Sequence, residues 1–269
     1  MREILSKKLN RLENYLREHE KIAVAYSSGV DSTFLLTVAR NILGDNVLAI
    51  TAESECFPKS ENEESNKFCI DNGIKHLKMN ISELEIDGFK DNPANRCYIC
   101  KKELFTKMKD VAAENGFTNL AEGSNLDDIG DYRPGMKAVE ELGILSPLRE
   151  CEFTKAEIRE LSNELNLYTW DKPSFACLAS RFPYGEKITY EKLKMVEGAE
   201  EILANFGFRQ KRVRIHGNVA RIEILDIDFE KIIDGKIRTE IVCKFKEIGF
   251  SYISLDLQGY RTGSMNEVI

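Results

Sequence analysis

Apolar residues recur every three to four positions near the start of the chain, at Ile4, Leu5, Leu9, Leu12 and Leu16. This spacing predicts an amphipathic helix over 3–18 with those side chains turned inward. A continuous apolar run at 21–26 predicts a buried strand, and the apolar stretch at 33–40 behind it a helix. Strand patterns at 47–52, 75–81 and 119–122 then alternate with helix patterns at 60–72, 98–115, 134–142 and 155–166. Gly116 ends one of these helices, and Thr154 with Glu157 forms a capping box ahead of another. Apolar strands alternating with helices predict an α/β fold, a parallel sheet covered on both faces. Such sheets bind nucleotides at the carboxyl ends of their strands.

The pattern changes after about residue 183. A helix is predicted over 190–206, followed by alternating stretches at 212–216 and 220–225 around Gly217-Asn218, which read as a hairpin. Helices at 229–233 and 239–248 and a strand at 252–257 complete the chain. Two domains are expected, at 1–183 and, smaller and also α/β, at 184–269.

The chain has 269 residues, 42% of them apolar, enough for a core of ordinary size. A net charge of −7 gives a surface that repels nucleic acid. No apolar run is long enough for a membrane span, and the charged start, Met1-Arg2-Glu3, lacks a signal-peptide core. A cytoplasmic protein is expected. Seven cysteines in a reducing compartment read as thiols or metal ligands rather than disulfides.

The stretch SSGVDS at 27–32 joins the first strand to the second helix. A turn of small residues there leaves backbone N–H groups aimed at one spot, and the helix dipole makes that spot favour phosphate. Ser27, Ser28 and Ser32 add hydroxyl donors, Gly29 permits close approach, and Asp31 can sit near a Mg2+ shared by the phosphates. No Gly-Lys-Ser/Thr follows, so this is not a Walker A loop. It resembles the SxGxDS loop of the PP-loop ATP pyrophosphatases, which cleave ATP between the α and β phosphates and leave an adenylated substrate.

Cys97 and Cys100 form a Cys-x-x-Cys pair, and Cys177 lies in PSFACLASR at 173–181. The spacing of the pair fits a zinc site, a redox dithiol, or two ligands of an iron–sulfur cluster completed by a third cysteine. An adenylated carboxylate awaits a nucleophile, and thiolate or sulfide suits it. Cys69 and Cys243, each among apolar neighbours, read as core fillers, whereas Cys56 and Cys151 lie in loop-like stretches and stay undecided.

Further motifs are GSNLDDIGDYRPG at 123–135, ACLASRFPYG at 176–185, RVRIHG at 212–217 with ARIE at 220–223, and GYRTGSMNE at 259–267. Together with the loop at 27–32 they resemble the LarE family from about residue 21 to 267. Those ATP-dependent sulfur transferases act on pyridinium-3,5-biscarboxylic acid mononucleotide, a nicotinate-derived compound, during synthesis of a nickel-pincer cofactor. The resemblance implies ATP, Mg2+ and a small-molecule substrate, a sulfide donor, and a homo-oligomer. One form of the family sacrifices the sulfur of a single cysteine, matching Cys177. The other holds a 4Fe–4S cluster on three cysteines, and thiols stand here at all three matching positions, Cys97, Cys100 and Cys177.

The resemblance also implies nucleotide contacts at Thr51, Ala52, Gly123, Asp127 and Asp128, with Asp131 in the same loop. It implies substrate contacts at Ser180, Arg181, Arg212, Arg214, Glu223 and Arg261. Arg181 is the candidate for stabilising developing negative charge. Arg212 and Arg214, two apart on a strand, share a face that suits a phosphate or carboxylate, and Arg221 and Glu223 share another. His216, beside Gly217, reads as a turn residue. Transfer RNA thiolation would need a longer basic face than residues 205–221 supply. Amidation, as in NAD or GMP synthetases, gives no use for three placed cysteines, and a nucleotide sensor would release no pyrophosphate.

Overall fold

The computed structural model describes residues 2–128, 134–173, 176–261 and 263–267. The chain forms two compact units, each assembled from separated stretches. Unit 1 comprises Met1–Ser54, Lys59–Ile81 and Cys97–Phe175, and unit 2 comprises Glu55–Pro58, Ser82–Arg96 and Ala176–Ile269.

Unit 1 opens with α1 (Arg2–His19), which buries Leu5, Leu12 and Leu16. Ile4, expected inward, is exposed. Its position lies a full 100° step from Leu5, off the stripe that Leu5, Leu12 and Leu16 define. The unit continues through β1 (Ile22–Ala25), α2 (Val30–Leu43), β2 (Val47–Glu53), α3 (Lys59–Asp71) and β3 (Lys75–Asn80). After α4 (Arg96–Glu114) come β4 (Leu120–Ala121), α5 (Gly135–Glu141), the short α6 (Pro147–Glu150) and α7 (Lys155–Glu164). The four strands form a parallel sheet in the order β3-β2-β1-β4. Ile22, Ala23 and Val24 in β1 are buried on both faces, and Leu12, Phe34 and Ile158 from the helix layers join the same core, with Phe153 from the loop between α6 and α7. The predicted capping box is present: Thr154 Oγ1 accepts from Glu157 N, and Glu157 accepts from Thr154 N.

Strand order matters for function. The chain leaves β1 toward β2 on one side, while β4 lies on the other. The carboxyl end of β1 is therefore the point where the winding reverses, the crevice in which doubly wound sheets take their ligands. Residues 27–32 occupy that point.

Unit 2 contains α8 (Tyr190–Asn205), β5 (Lys211–His216), β6 (Val219–Ile224), α9 (Phe229–Ile233), α10 (Gly235–Glu247) and β7 (Tyr252–Leu255). The predicted hairpin is present, with β5 antiparallel to β6 and His216 opposite Val219. Gly217 there takes φ +60°, the left-handed value a two-residue turn requires. β7 adds in parallel to β6. On one side of β5, Val213 and Ile215 are fully buried, with Leu193, Val196, Ala199 and Leu203 of the adjoining α8. α10 starts earlier than expected because Asp234 caps it, its side chain accepting from Lys236 N and Ile237 N. Cys243, expected in the core, is exposed: α10 buries Ile241 and Phe245, and position 243 falls between them on the outer side. Cys69 is buried as expected; Cys56 and Cys151, undecided from the sequence, are buried too. Among the described residues no helix is long and apolar enough to cross a membrane.

Candidate functional site

In unit 1 the turn after β1 is tied together by its own serines. Ser27 N donates to Ser32 Oγ at 3.3 Å, the two hydroxyls of Ser27 and Ser32 lie 3.1 Å apart, and Ser32 Oγ donates to Gly29 O at 3.3 Å. Ser28 is buried with a left-handed backbone, φ +58°. Gly29 leads into α2 with no side-chain cap, so the helix's first N–H groups remain available to an anion. Gly123, just past β4, approaches this turn so closely that a Cβ on it would stand 3.1 Å from Ser32 N. Only a residue without a side chain fits there without moving the turn.

Asp31, expected beside magnesium, is paired with Lys155 at the start of α7 and accepts from Asn125 Nδ2 at 3.3 Å. Burial pushes its carboxyl up, and the Lys155 ammonium only partly opposes that. Asp127 accepts from the Lys155 backbone N at 2.8 Å, and Asp128 from Asn125 N at 2.9 Å, so both carboxylates hold the loop that carries Asn125. Asp131 lies outside the described residues. Thr51 and Ala52 lie near the end of β2 beside the turn, with Thr51 Oγ1 donating to Tyr26 O and His76 Nε2 2.8 Å from the same hydroxyl. The turn, Gly123, Asp127, Asp128 and the end of β2 thus surround one strand terminus. Sequence reasoning missed Lys155, Asn125, Tyr168 and Lys172. Their partners lie up to 144 residues away, beyond the reach of any local pattern.

Cys97 and Cys100 stand three apart in the first turn of α4, so their side chains share a face, Cys97 exposed and Cys100 partly so. Among the described residues no group of three or more His, Cys, Asp or Glu side chains is arranged to hold a metal ion.

Unit 2 carries Cys177 just before a short helical turn, Leu178–Arg181. Leu178 N donates to Cys56 O at 2.9 Å, which brings Cys56 against this stretch. A hydrogen bond from Cys56 lowers the Cys177 thiol to about 6; burial opposes it, and the Arg96 and Arg181 cations reinforce it. Arg96 Nη1 donates to Ala179 O at 2.9 Å and also to Asn92, whose side chain donates to Pro183 O at 2.6 Å. Arg181 is fully buried. Its guanidinium forks onto Glu200 and also donates to Ala176 O, Cys177 O and Ser180 Oγ.

Arg214 extends the network. Its Nη1 donates to Ser180 O at 3.1 Å, and its Nη2 donates to Glu223 at 2.8 Å and to Ser264 Oγ at 3.0 Å, while its buried Nε has no hydrogen-bond partner among the described residues. Glu223 also accepts from Arg221 and Ser264. Arg212, equally buried, faces Tyr260 with its guanidinium 5.3 Å from the ring centre. Burial first, then the Arg181 charge, lowers it to about 10. Arg261 sits further out, bonded to Glu267 and Gly259 O. His216 ends β5 with its Nε2 buried and, among the described residues, unpartnered, and burial lowers its pKa. The buried guanidiniums of Arg181, Arg212 and Arg214 stand with the buried carboxylates of Glu200 and Glu223, an arrangement rich in positive charge that suits an anion. Glu200, Arg96, Asn92, Cys56 and Ser264 were not legible as site residues from the sequence.

A parallel sheet with a serine-glycine turn at its switch point defines an ATP-dependent enzyme of the PP-loop class. One component of the glutamine-hydrolysing GMP synthase of Thermoplasma volcanium, 26% identical over 72% of this chain and 67% of its own length, is similar to it. No protein-family profile matches the chain. An uncharacterised Synechocystis protein is 41% identical over 99% of both chains. Pyridinium-3,5-bisthiocarboxylic acid mononucleotide synthase of Lactiplantibacillus plantarum is 35% identical over 94% of this chain and 92% of its own. The chain therefore belongs to the family of that synthase, the LarE-type sulfur transferases.

Proposed function

We propose that this protein adenylates a carboxylate of pyridinium-3,5-biscarboxylic acid mononucleotide and converts it to a thiocarboxylate, in the synthesis of a nickel-pincer cofactor. The relative of known product supplies the substrate class. The observation that carries the reading is in unit 2, where the segment bearing Cys177 is bolted to the arginine cluster. Arg181 holds Cys177 O, and Arg214 holds Ser180 O. A sulfur-bearing residue and a cluster of buried arginines suited to an acidic substrate are thereby tied to one another.

In the proposed sequence ATP–Mg lies on residues 27–32, and a substrate carboxylate oxygen attacks the α phosphorus. Pyrophosphate leaves and an acyl-adenylate forms. A sulfur nucleophile then attacks the acyl carbon, AMP leaves with the bonding pair, and the thiocarboxylate remains. Arg212 and Arg214 hold the acidic groups of the substrate, with Glu223 and Arg261 setting the pocket's outline. Cys97, Cys100 and Cys177 would together hold a 4Fe–4S cluster, which when bound supplies a sulfide on its open iron. The support for that set is the presence of all three thiols and the helical spacing of the first two.

A second route draws on the environment of Cys177. A thiol held low by Cys56, Arg96 and Arg181 is suited to attack the acyl carbon itself, displacing AMP to give a thioester; cleavage of the Cys177 Cβ–S bond with loss of its Cα proton to solvent then releases the thiocarboxylate and leaves dehydroalanine.

Anaerobic purification with iron and sulfide analysis separates the two. The cluster reading expects iron in the wild type and its loss in Cys97→Ala; full iron loading in that variant overturns the three-ligand set. A mass loss equal to hydrogen sulfide at Cys177 after turnover establishes the sacrificial route instead. No pyrophosphate release with the biscarboxylate substrate overturns the activity. Tight, salt-sensitive binding of transfer RNA would replace it with RNA thiolation.

A further inference from the structure

Ser28 carries a side chain yet holds a left-handed backbone, φ +58°, at a fully buried position. That conformation is unfavourable for a residue with a side chain, so its surroundings must impose it. Two side chains from the stretch after α7 do so. The Tyr168 hydroxyl meets Ser28 Oγ at 2.7 Å, and Lys172 Nζ donates to Ser28 O at 3.2 Å. Lys172 is itself braced, donating to Glu61 at 2.7 Å and to Glu64 at 2.6 Å on α3. Tyr168 packs on Phe68 of the same helix, with ring centres 5.9 Å apart.

An ammonium has three N–H donors, and here all three have acceptors: Ser28 O, Glu61 and Glu64. Nothing remains on it for a phosphate oxygen. The cation therefore acts on the turn, not on the ligand.

We propose that Lys172, assisted by Tyr168, is a positioning residue of the phosphate turn, holding Ser28 left-handed so that the turn's N–H groups stay aimed at the nucleotide. The proposal rests on residues 27–32 being the ATP site.

The test is a titration calorimetry cycle with Mg–ATP alone on the full chain, so sulfur chemistry does not enter. Lys172→Met weakens ATP at least tenfold in the wild-type background. In a Ser28→Gly background the same change costs less than twofold, because glycine takes positive φ without a brace. Equal losses in both backgrounds make Lys172 a direct contact and overturn the proposal, as does no loss in the wild-type background. Lys172→Arg recovers affinity at least in part. Tyr168→Phe removes one hydroxyl and serves if Lys172→Met does not fold; its smaller loss is likewise absorbed by Ser28→Gly, and a loss that persists there overturns the proposal. Gly29→Asp tests the underlying site separately. A Cβ at 29 meets only Ser27 Oγ, at 3.4 Å, so the fold tolerates it while a carboxylate enters the anion pocket. Unchanged ATP affinity in that variant refutes the site, whereas lost affinity with an uncoupled Lys172 refutes only the brace.

Discussion

Arg181 and Glu200 meet in two parallel hydrogen bonds inside unit 2, Nε to Oε1 at 2.8 Å and Nη2 to Oε2 at 3.0 Å. Both side chains are buried, and Glu200 also accepts from Val213 N on β5. Removing one partner of such a pair strands the other charge away from water. Glu200→Gln should cost about 3 kcal/mol of stability at neutral pH, read from urea unfolding.

The same pair gives a pH dependence. Burial pushes the Glu200 carboxyl up, but the Arg181 charge and hydrogen bonds, with help from Arg212, hold it below the ordinary 4.5. A carboxyl depressed in the folded state contributes stability above its unfolded value and loses it as pH falls through the folded one. Wild-type stability should therefore drop as pH is lowered past 4.5. The Glu200→Gln variant, less stable at neutral pH, should show a shallower drop over the same range. Parallel acid limbs in urea midpoints would contradict this.

Arg214 uses two of its nitrogens on different partners, Ser180 O and Glu223. A lysine keeps the charge but not the fork. Arg214→Lys should raise KM for the acidic substrate at least tenfold and leave KM for ATP within twofold, measured by pyrophosphate release. A matching rise in both constants would assign Arg214 to general folding instead.

Much of this architecture could be read from spacing. The stripe Leu5, Leu12, Leu16 and the Thr154–Glu157 cap are local, set by residues within a turn or two of one another. Ile4 and Cys243 depart from expectation because apolar neighbours in sequence do not share a helix face. Arg181 is legible as a charge near Cys177, but not the carboxylate that neutralises it, which arrives from α8. Cys56 cannot be assigned from its own surroundings, since its place is set by pairing with Leu178. Ser28 is recognisable as a donor, and its left-handed backbone is not, because the side chains imposing it come from far along the chain.

Thiol reactivity separates the cysteines. Cys97 and Cys243 are exposed, whereas Cys56, Cys69 and Cys151 are buried. Burial further raises the thiols of Cys69 and Cys151, to about 12 and about 11. Alkylation of native, iron-free protein should modify exposed Cys97 and Cys243 and the partly exposed Cys177, whose thiol is lowered to about 6, before it reaches the buried three, which need denaturant. Peptide mass mapping over time reads the order, and early labelling of Cys69 would contradict the packing of α3.

Gly123 stands against the turn at 27–32, where a methyl group would press to 3.1 Å from Ser32 N. Gly123→Ala should weaken ATP binding at least tenfold while changing the unfolding midpoint little. An unaltered affinity would show that the turn can shift without loss.

The interleaving of the two units has a genetic consequence. Because 55–58 and 82–96 belong with the carboxyl-terminal stretch, no single cut yields two intact halves. A fragment beginning at 176 would lack Cys56, Asn92 and Arg96, the residues that grip the Cys177 turn. Shuffling such a protein with a relative by one crossover would mix mismatched partners on both sides of the join, so unit 2 is inherited as part of the whole chain or not at all.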